Sequence, residues 1–204
     1  MLTQQELEGV IAFHGHCCPG LAFGIRAGKW ATREFGHATD EEIVVVVEND
    51  SCAVDAIQYL TGCTFGKGNF IFLDYGKMAF SFFQRSNGKN ARLVARHDLL
   101  ADLREQENLS VQPGASPRDN PSPLAPHSSP LASDLRQQMI DRVLHADFDA
   151  VFSVGPAQIA MPEKAKIHKS IPCDACGEMT MTTRILCDLR FTSGHNLCIP
   201  CHEK

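Results

Sequence analysis

Two Cys-x-x-Cys pairs close the chain, Cys173/Cys176 and Cys198/Cys201, with 21 residues between them. This is the feature that most restricts folding. The tail around the pairs holds too few apolar residues for a core, so a metal ion must supply much of its folding free energy. Each pair predicts a knuckle whose tight turn aims two sulfurs at one ion. Two knuckles give all-sulfur tetrahedral coordination, which suits zinc because its filled d shell imposes no geometry. Gly177 follows the first pair, where positive φ turns backbone N–H groups toward the sulfurs. Rival readings are weaker. Cys198-Ile199-Pro200-Cys201-His202 matches a haem attachment pattern, but a matching pair lies upstream and no export signal precedes it. A redox pair needs a βαβ context that is absent. Iron would fit the same cage, and four unliganded thiols at this spacing are the bland alternative. Cys187 and His195 are spare ligand candidates, with Cys187 read as a small packing residue.

Nine cysteines in 204 residues, with no secretory leader in MLTQQELEGV, point to thiolate or metal chemistry in the cytoplasm rather than to a disulfide framework. The net charge of -5 argues against a general nucleic-acid binder. The tail's Lys164, Lys166, Lys169, Arg184 and Arg190 read first as a solvated face. The densest apolar run, Ile43 to Val47, is far too short to span a membrane.

Thr3-Gln4-Gln5-Glu6 fits a capping box and predicts a helix near 4–13; a second covers 20–35, where Gly24 and Gly28 admit a closely packed neighbour. Ile43 to Asn49 and Asn69 to Asp74 read as strands, with a helix from Cys52 to Thr61 between them. Ser86-Asn87-Gly88-Lys89 separates two β-type runs and marks a hairpin. Residues 108–133 are rich in Pro, Ser and Ala and read as a linker or surface insertion. A helix returns at 134–146 and a strand at 151–154. The organisation is therefore a core over 1–107, the linker over 108–133, a returning helix and strand over 134–165, and a ribbon over 166–204.

His14-Gly15-His16-Cys17-Cys18-Pro19-Gly20 concentrates two histidines and two cysteines. His14 and His16 cannot share a helix face but can converge from a turn. Cys52 opens the later helix, Asp55 lies one turn in, and Cys63 sits at its far end. On one straight helix Cys52 and Cys63 stand about 16 Å apart, so they meet at one ion only if the helix breaks at Gly62 or a second chain contributes. The Gly62–Gly68 stretch is not a P-loop, because glycine spacing and the residue after Lys67 are wrong. A packing or turn role for these residues is the competing reading.

Phe13-His14-Gly15-His16-x-Cys18-Pro19-Gly20-Leu21-Ala22 closely resembles the opening block of the FmdE family, named for the E component of molybdenum/tungsten formylmethanofuran dehydrogenase. Asp50-x-Cys52-x-x-Asp55-Ala56-Ile57, Thr61-Gly62-Cys63-Thr64-x-Gly66-Lys67-Gly68-Asn69 and Asp74-x-Gly76-Lys77-x-Ala79 resemble its later blocks, in order. The tail is similar to the DksA/TraR-type zinc ribbon that many members carry. The resemblance implies an α+β fold, with helices packed on a mixed or antiparallel sheet, a small C-terminal zinc ribbon, and a homodimer. It implies a second metal at a core site, with His16, Cys18 and Cys63 as ligands and His14 and Cys52 as alternates. Cys18, Asp55, Cys63 and Lys67 are the catalytic candidates: Asp55 accepts a proton or orients a ligating histidine, while Lys67 and Lys77 favour thiolate or bind an anionic substrate. The implied role is an accessory protein or oxidoreductase component of molybdenum/tungsten-linked C1 metabolism, with a protein partner there. A zinc-finger binding module on a dimeric scaffold and a metal or molybdenum-cofactor trafficking protein are the alternatives.

Overall fold

The computed structural model describes residues 2–110, 130–188 and 194–204. The chain divides into two compact units, Met1–Lys164 and Ala165–Lys204.

The first unit begins with α1 (Gln4–His14), closed at its start by the capping box: the Glu6 amide donates to Thr3 Oγ1 and the Thr3 amide donates to Glu6 Oε2. Gly15 ends the helix in the left-handed region, φ 99°. The helix α2 (Pro19–Phe35) follows, with Pro19 at its first position and the Cys18 side chain as its N-cap. Next come β1 (Ile43–Val47), α3 (Ala53–Thr61), β2 (Phe70–Phe72), β3 (Ala79–Gln84) and β4 (Asn90–Ala95). The unit then runs through α4 (Ala101–Ser110), α5 (Pro130–His145), α6 (Phe148–Val151) and β5 (Phe152–Gly155). The helix α4 is not anticipated by the sequence, and α5 begins four residues before the expected 134. Residues 111–129, most of the expected linker, lie outside the described residues.

Five strands form one sheet in the order β2-β1-β3-β4-β5, parallel between β1 and β2 and antiparallel elsewhere. The fold is thus α+β with a mixed sheet. Alternate residues of β1 serve two cores. Ile43, Val45 and Val47 join Phe80, Phe82 and Leu93 in the main core beneath the helices. Val44 and Val46 pack with Phe83 on the other face. Burial on both faces is why this strand reads as a continuous valine run rather than an alternating one. On that second face Glu48 and Arg92 form a bidentate pair at 2.6 and 2.7 Å, with side chains 9% and 11% exposed.

The helix α2 is the spine of the unit, and α3 packs closely on it. A methyl at Gly24 would overlap the Ala53 backbone, and one at Gly28 would press on Leu60. That contact positions the site, because it brings the N-terminal ends of α2 and α3 together: a Cβ at Gly20 would lie 3.3 Å from Cys52 Cβ and 3.9 Å from Cys18 Sγ.

The second unit contains two hairpins and a short helix. Strands β6 (Ser170–Pro172) and β7 (Met179–Met181) flank the first cysteine pair. Strands β8 (Ile185–Asp188) and β9 (His195–Cys198) lead into α7 (Ile199–His202). Only the first pair forms the expected knuckle, with Gly177 at φ 73° and its amide donating to the Cys173 carbonyl at 2.9 Å. The second pair instead straddles a strand-to-helix junction, because Pro200 sits in the first turn of α7 and turns the chain into a helix. Cys187, expected as a packing residue, is exposed: it lies on β8, whose two-stranded sheet has no core behind it. Arg190 lies outside the described residues.

Candidate metal centres

The donor atoms of His14, His16, Cys18 and Cys52 all lie within 4.8 Å of one another. His14 is the last residue of α1, and the left-handed turn at Gly15 folds His16 back until the two imidazole centroids are 4.5 Å apart. Cys18 caps α2, its Sγ accepting the Leu21 amide at 3.3 Å. Cys52 stands at the start of α3. Both thiols therefore face helix N-termini, where partial positive charge favours thiolate. Against that, burial first and then the neighbouring Cys18 push the Cys52 thiol up to about 11. A divalent cation among these atoms reverses that balance, because a coordinating thiol gives up its proton outright.

The histidines carry the sharper signal. His14 Nδ1 lies 2.7 Å from Asp55 Oδ2, and the His14 side chain is 11% exposed. With Asp55 ionised, Nδ1 carries the proton and Nε2 presents a lone pair. The Nε2 atoms of His14 and His16 are both buried and have no hydrogen-bond partner. A buried polar atom left without a partner costs roughly 1–3 kcal/mol, so two side by side beside two thiols call for a ligand. An N2S2 set of two imidazoles and two thiolates suits zinc and other borderline divalent ions.

Cys63 is not in this group. The chain does break at Gly62, φ 72°, but the break turns Cys63 under β1, where its Sγ donates to the Ile43 carbonyl at 3.5 Å. Desolvation pushes this fully buried thiol up to about 11 and keeps it protonated. Lys67 is also elsewhere, its Nζ donating to the Gly62 carbonyl at 2.7 Å and the Thr39 carbonyl at 3.3 Å. It closes the end of α3 rather than facing the cluster. Lys77 holds Asn49 through its backbone carbonyl at the turn into β3.

A cleft of about 160 Å³ adjoins the cluster, lined by His16, Cys17, Cys18 and Pro19 together with Arg136 and Met139 from α5. The sequence reading does not include this α5 contribution. Nothing in the local pattern links residues 136–139 to the His/Cys segment, since the two are more than 110 positions apart and meet only through tertiary packing.

In the second unit the thiols of Cys173, Cys176, Cys198 and Cys201 also lie within 4.8 Å of one another. Cys173 is buried and accepts the Cys198 amide at 3.3 Å. Backbone N–H groups of Cys176 and Cys198 hold it down to about 6, whereas crowding by Cys198 and Cys176 pushes Cys201 up to about 12. Four sulfurs this close cannot all ionise unless a cation sits among them. Asp174 braces the cage, its Oδ2 accepting the Asn196 amide at 2.7 Å.

Residues 13–153 match the family described as FmdE, molybdenum formylmethanofuran dehydrogenase operon. The chain belongs to the FmdE family. A probable S-adenosyl-L-methionine-binding protein of Archaeoglobus fulgidus is 28% identical over 180 residues, covering 85% of this chain and 48% of that protein. The chain thus spans about half the length of this curated relative. The crystal structure of an FmdE-like protein of tungsten formylmethanofuran dehydrogenase from Syntrophus aciditrophicus superimposes with a TM-score of 0.61 at 22% identity, covering 98% of this chain and 91% of that one. The likeness extends the α+β fold to a solved structure. Among the described residues no helix is long and apolar enough to cross a membrane.

Proposed function

We propose that this FmdE-family chain is a cytoplasmic metal-binding protein acting in, or accessory to, molybdenum/tungsten-linked C1 metabolism of the formylmethanofuran type, as a homodimer with an enzyme partner. Its working metal sits at His14, His16, Cys18 and Cys52, and a zinc ion in the four-cysteine tail is structural. The observation that carries this reading is the pair of buried, partnerless Nε2 atoms beside two thiols. A metal at the core site supplies Lewis acidity. Asp55 holds His14 in the ligating tautomer and, 38% exposed, offers its carboxylate to protons from solvent. The cleft beside His16 and Cys18 gives a small reactant an approach, and Met139 makes part of its wall apolar. The tail offers four sulfurs and no further ligand among the described residues, the pattern of a closed structural site.

Cobalt(II) titration of the full chain tests the core assignment. A charge-transfer band assigned by subtracting the Cys52→Ser spectrum supports it; identical spectra for the two proteins refute it. Adding S-adenosyl-L-methionine, the ligand named for the Archaeoglobus relative, to the cobalt-loaded chain asks whether that molecule perturbs the same band.

A further inference from the structure

A second and larger cleft, about 850 Å³, opens between α1, α2 and the C-terminal end of α5. It shares no residue with the His/Cys cluster. Its volume lies within the range of roughly 300–1,000 Å³ usual for small-molecule sites. Leu7, Ile25 and Leu144 line it, and Trp30 and Phe148 stack at 5.8 Å and 9° to give it a flat aromatic wall.

Among the described residues, the charged side chains of the lining are all cationic or imidazole: Arg26, Lys29, Arg33 and His145, with no carboxylate. The chain as a whole carries a net charge of -5, so this concentration of cations is local. The cations are preset. Arg26 Nη1 donates to the Val143 carbonyl at 3.0 Å and the Leu144 carbonyl at 2.7 Å, which fixes the guanidinium beside the Phe148 ring. Lys29 reaches Glu6 at 2.7 Å and Arg33 reaches Glu34 at 3.2 Å, both carboxylates lying outside the lining. Each contact uses one donor, so two N–H of Lys29 and most of the Arg33 fork remain for an incoming group. Arg33 is 71% exposed and stands at the mouth.

We infer that this cleft binds a small amphipathic anion, a carboxylate or phosphate head on an acyl or flat aromatic body. The body lies along Trp30 and Phe148, and the head meets Arg33, Lys29 and Arg26. The metal centre is not needed for this.

Trp30 is the sole tryptophan of the chain, so its emission reports the cleft directly. The full chain is titrated with decanoate and with decyltrimethylammonium, below their micellar concentrations. Decanoate is expected to give a saturable 1:1 shift of Trp30 emission, and the cation of equal chain length to bind at least about tenfold more weakly. R33E, a change at an exposed position, is expected to weaken decanoate about tenfold, the scale of one partly screened charge contact. Cys52→Ser is expected to bind decanoate as the unaltered chain does. Equal binding of both amphiphiles, an R33E protein that binds normally, or no saturable shift overturns the inference. So does a dimer that shields Trp30 from iodide and that decanoate leaves intact, since the cleft would then belong to a second copy of the chain.

Discussion

Replacing Asp55 with Asn tests how the core site is built. The Asp55 carboxylate accepts the Nδ1 proton of His14 at 2.7 Å, in a place where the histidine is only 11% exposed. Asn keeps the shape, but it loses the charge that raises imidazole basicity and, by presenting its NH2, can favour the wrong tautomer. Removing such a partner of a ligating histidine costs about 10–100-fold in metal affinity, equivalent to about 1.4–2.7 kcal/mol. The metal-free fold should lose only the net value of one hydrogen bond, about 1 kcal/mol. The assay is competition against a chromophoric chelator, followed on the full chain. The phase that vanishes in Cys52→Ser is the core ion; the other phase, from the four-cysteine tail, is the internal control. A weakened core phase beside an unchanged tail phase is expected. A folded Asp55→Asn protein with unaltered core affinity refutes the argument that Asp55 sets the ligating tautomer.

Three other outcomes follow from the packing. Glu48→Gln leaves Arg92 buried without its counter-charge and should cost about 3–5 kcal/mol in urea unfolding. The Arg92 hydrogen bonds hold Glu48 below the usual carboxylate range, so the pair's contribution is present above roughly pH 4.3 and is lost as pH falls through the lowered value; unfolding midpoints measured from pH 7 to pH 3 should show that loss, and the Gln variant should not. Gly24→Ala drives a methyl into the Ala53 backbone and should destabilise by about 1–3 kcal/mol by thermal unfolding, with a weaker core metal because α2 and α3 separate where Cys18 and Cys52 meet. Cys63→Ala removes a buried thiol that contacts Ile43, and should lower stability by about 1 kcal/mol while leaving metal stoichiometry unchanged.

The parts legible in the sequence are those set by local chemistry. The Thr3/Glu6 box starts α1, the Asn87-Gly88 turn joins β3 to β4 with Gly88 at φ 71°, and Gly24 and Gly28 mark the approach of another element. The His14/His16 spacing calls for convergence from a turn, and the left-handed Gly15 provides that turn. What the sequence hides is set by tertiary packing. It shows that the helix can break at Gly62, but not which way Cys63 then faces; β1 decides that. The helix α4 is polar along most of its length, with Leu103 its one side chain in the main core, so it carries little amphipathic signal. The second cysteine pair has the spacing of a knuckle, yet Pro200 favours a helix start there.

The central claim is that one chain holds two metal ions, one among two histidines and two cysteines and one among four cysteines. Elemental analysis of the full-length protein, loaded with zinc and freed of excess, tests this most directly. Two ions per chain are expected, falling to one in a His14→Ala/Cys52→Ala double variant and staying at two in Cys63→Ala. One ion per chain in the unaltered protein, unchanged in the double variant, contradicts the account.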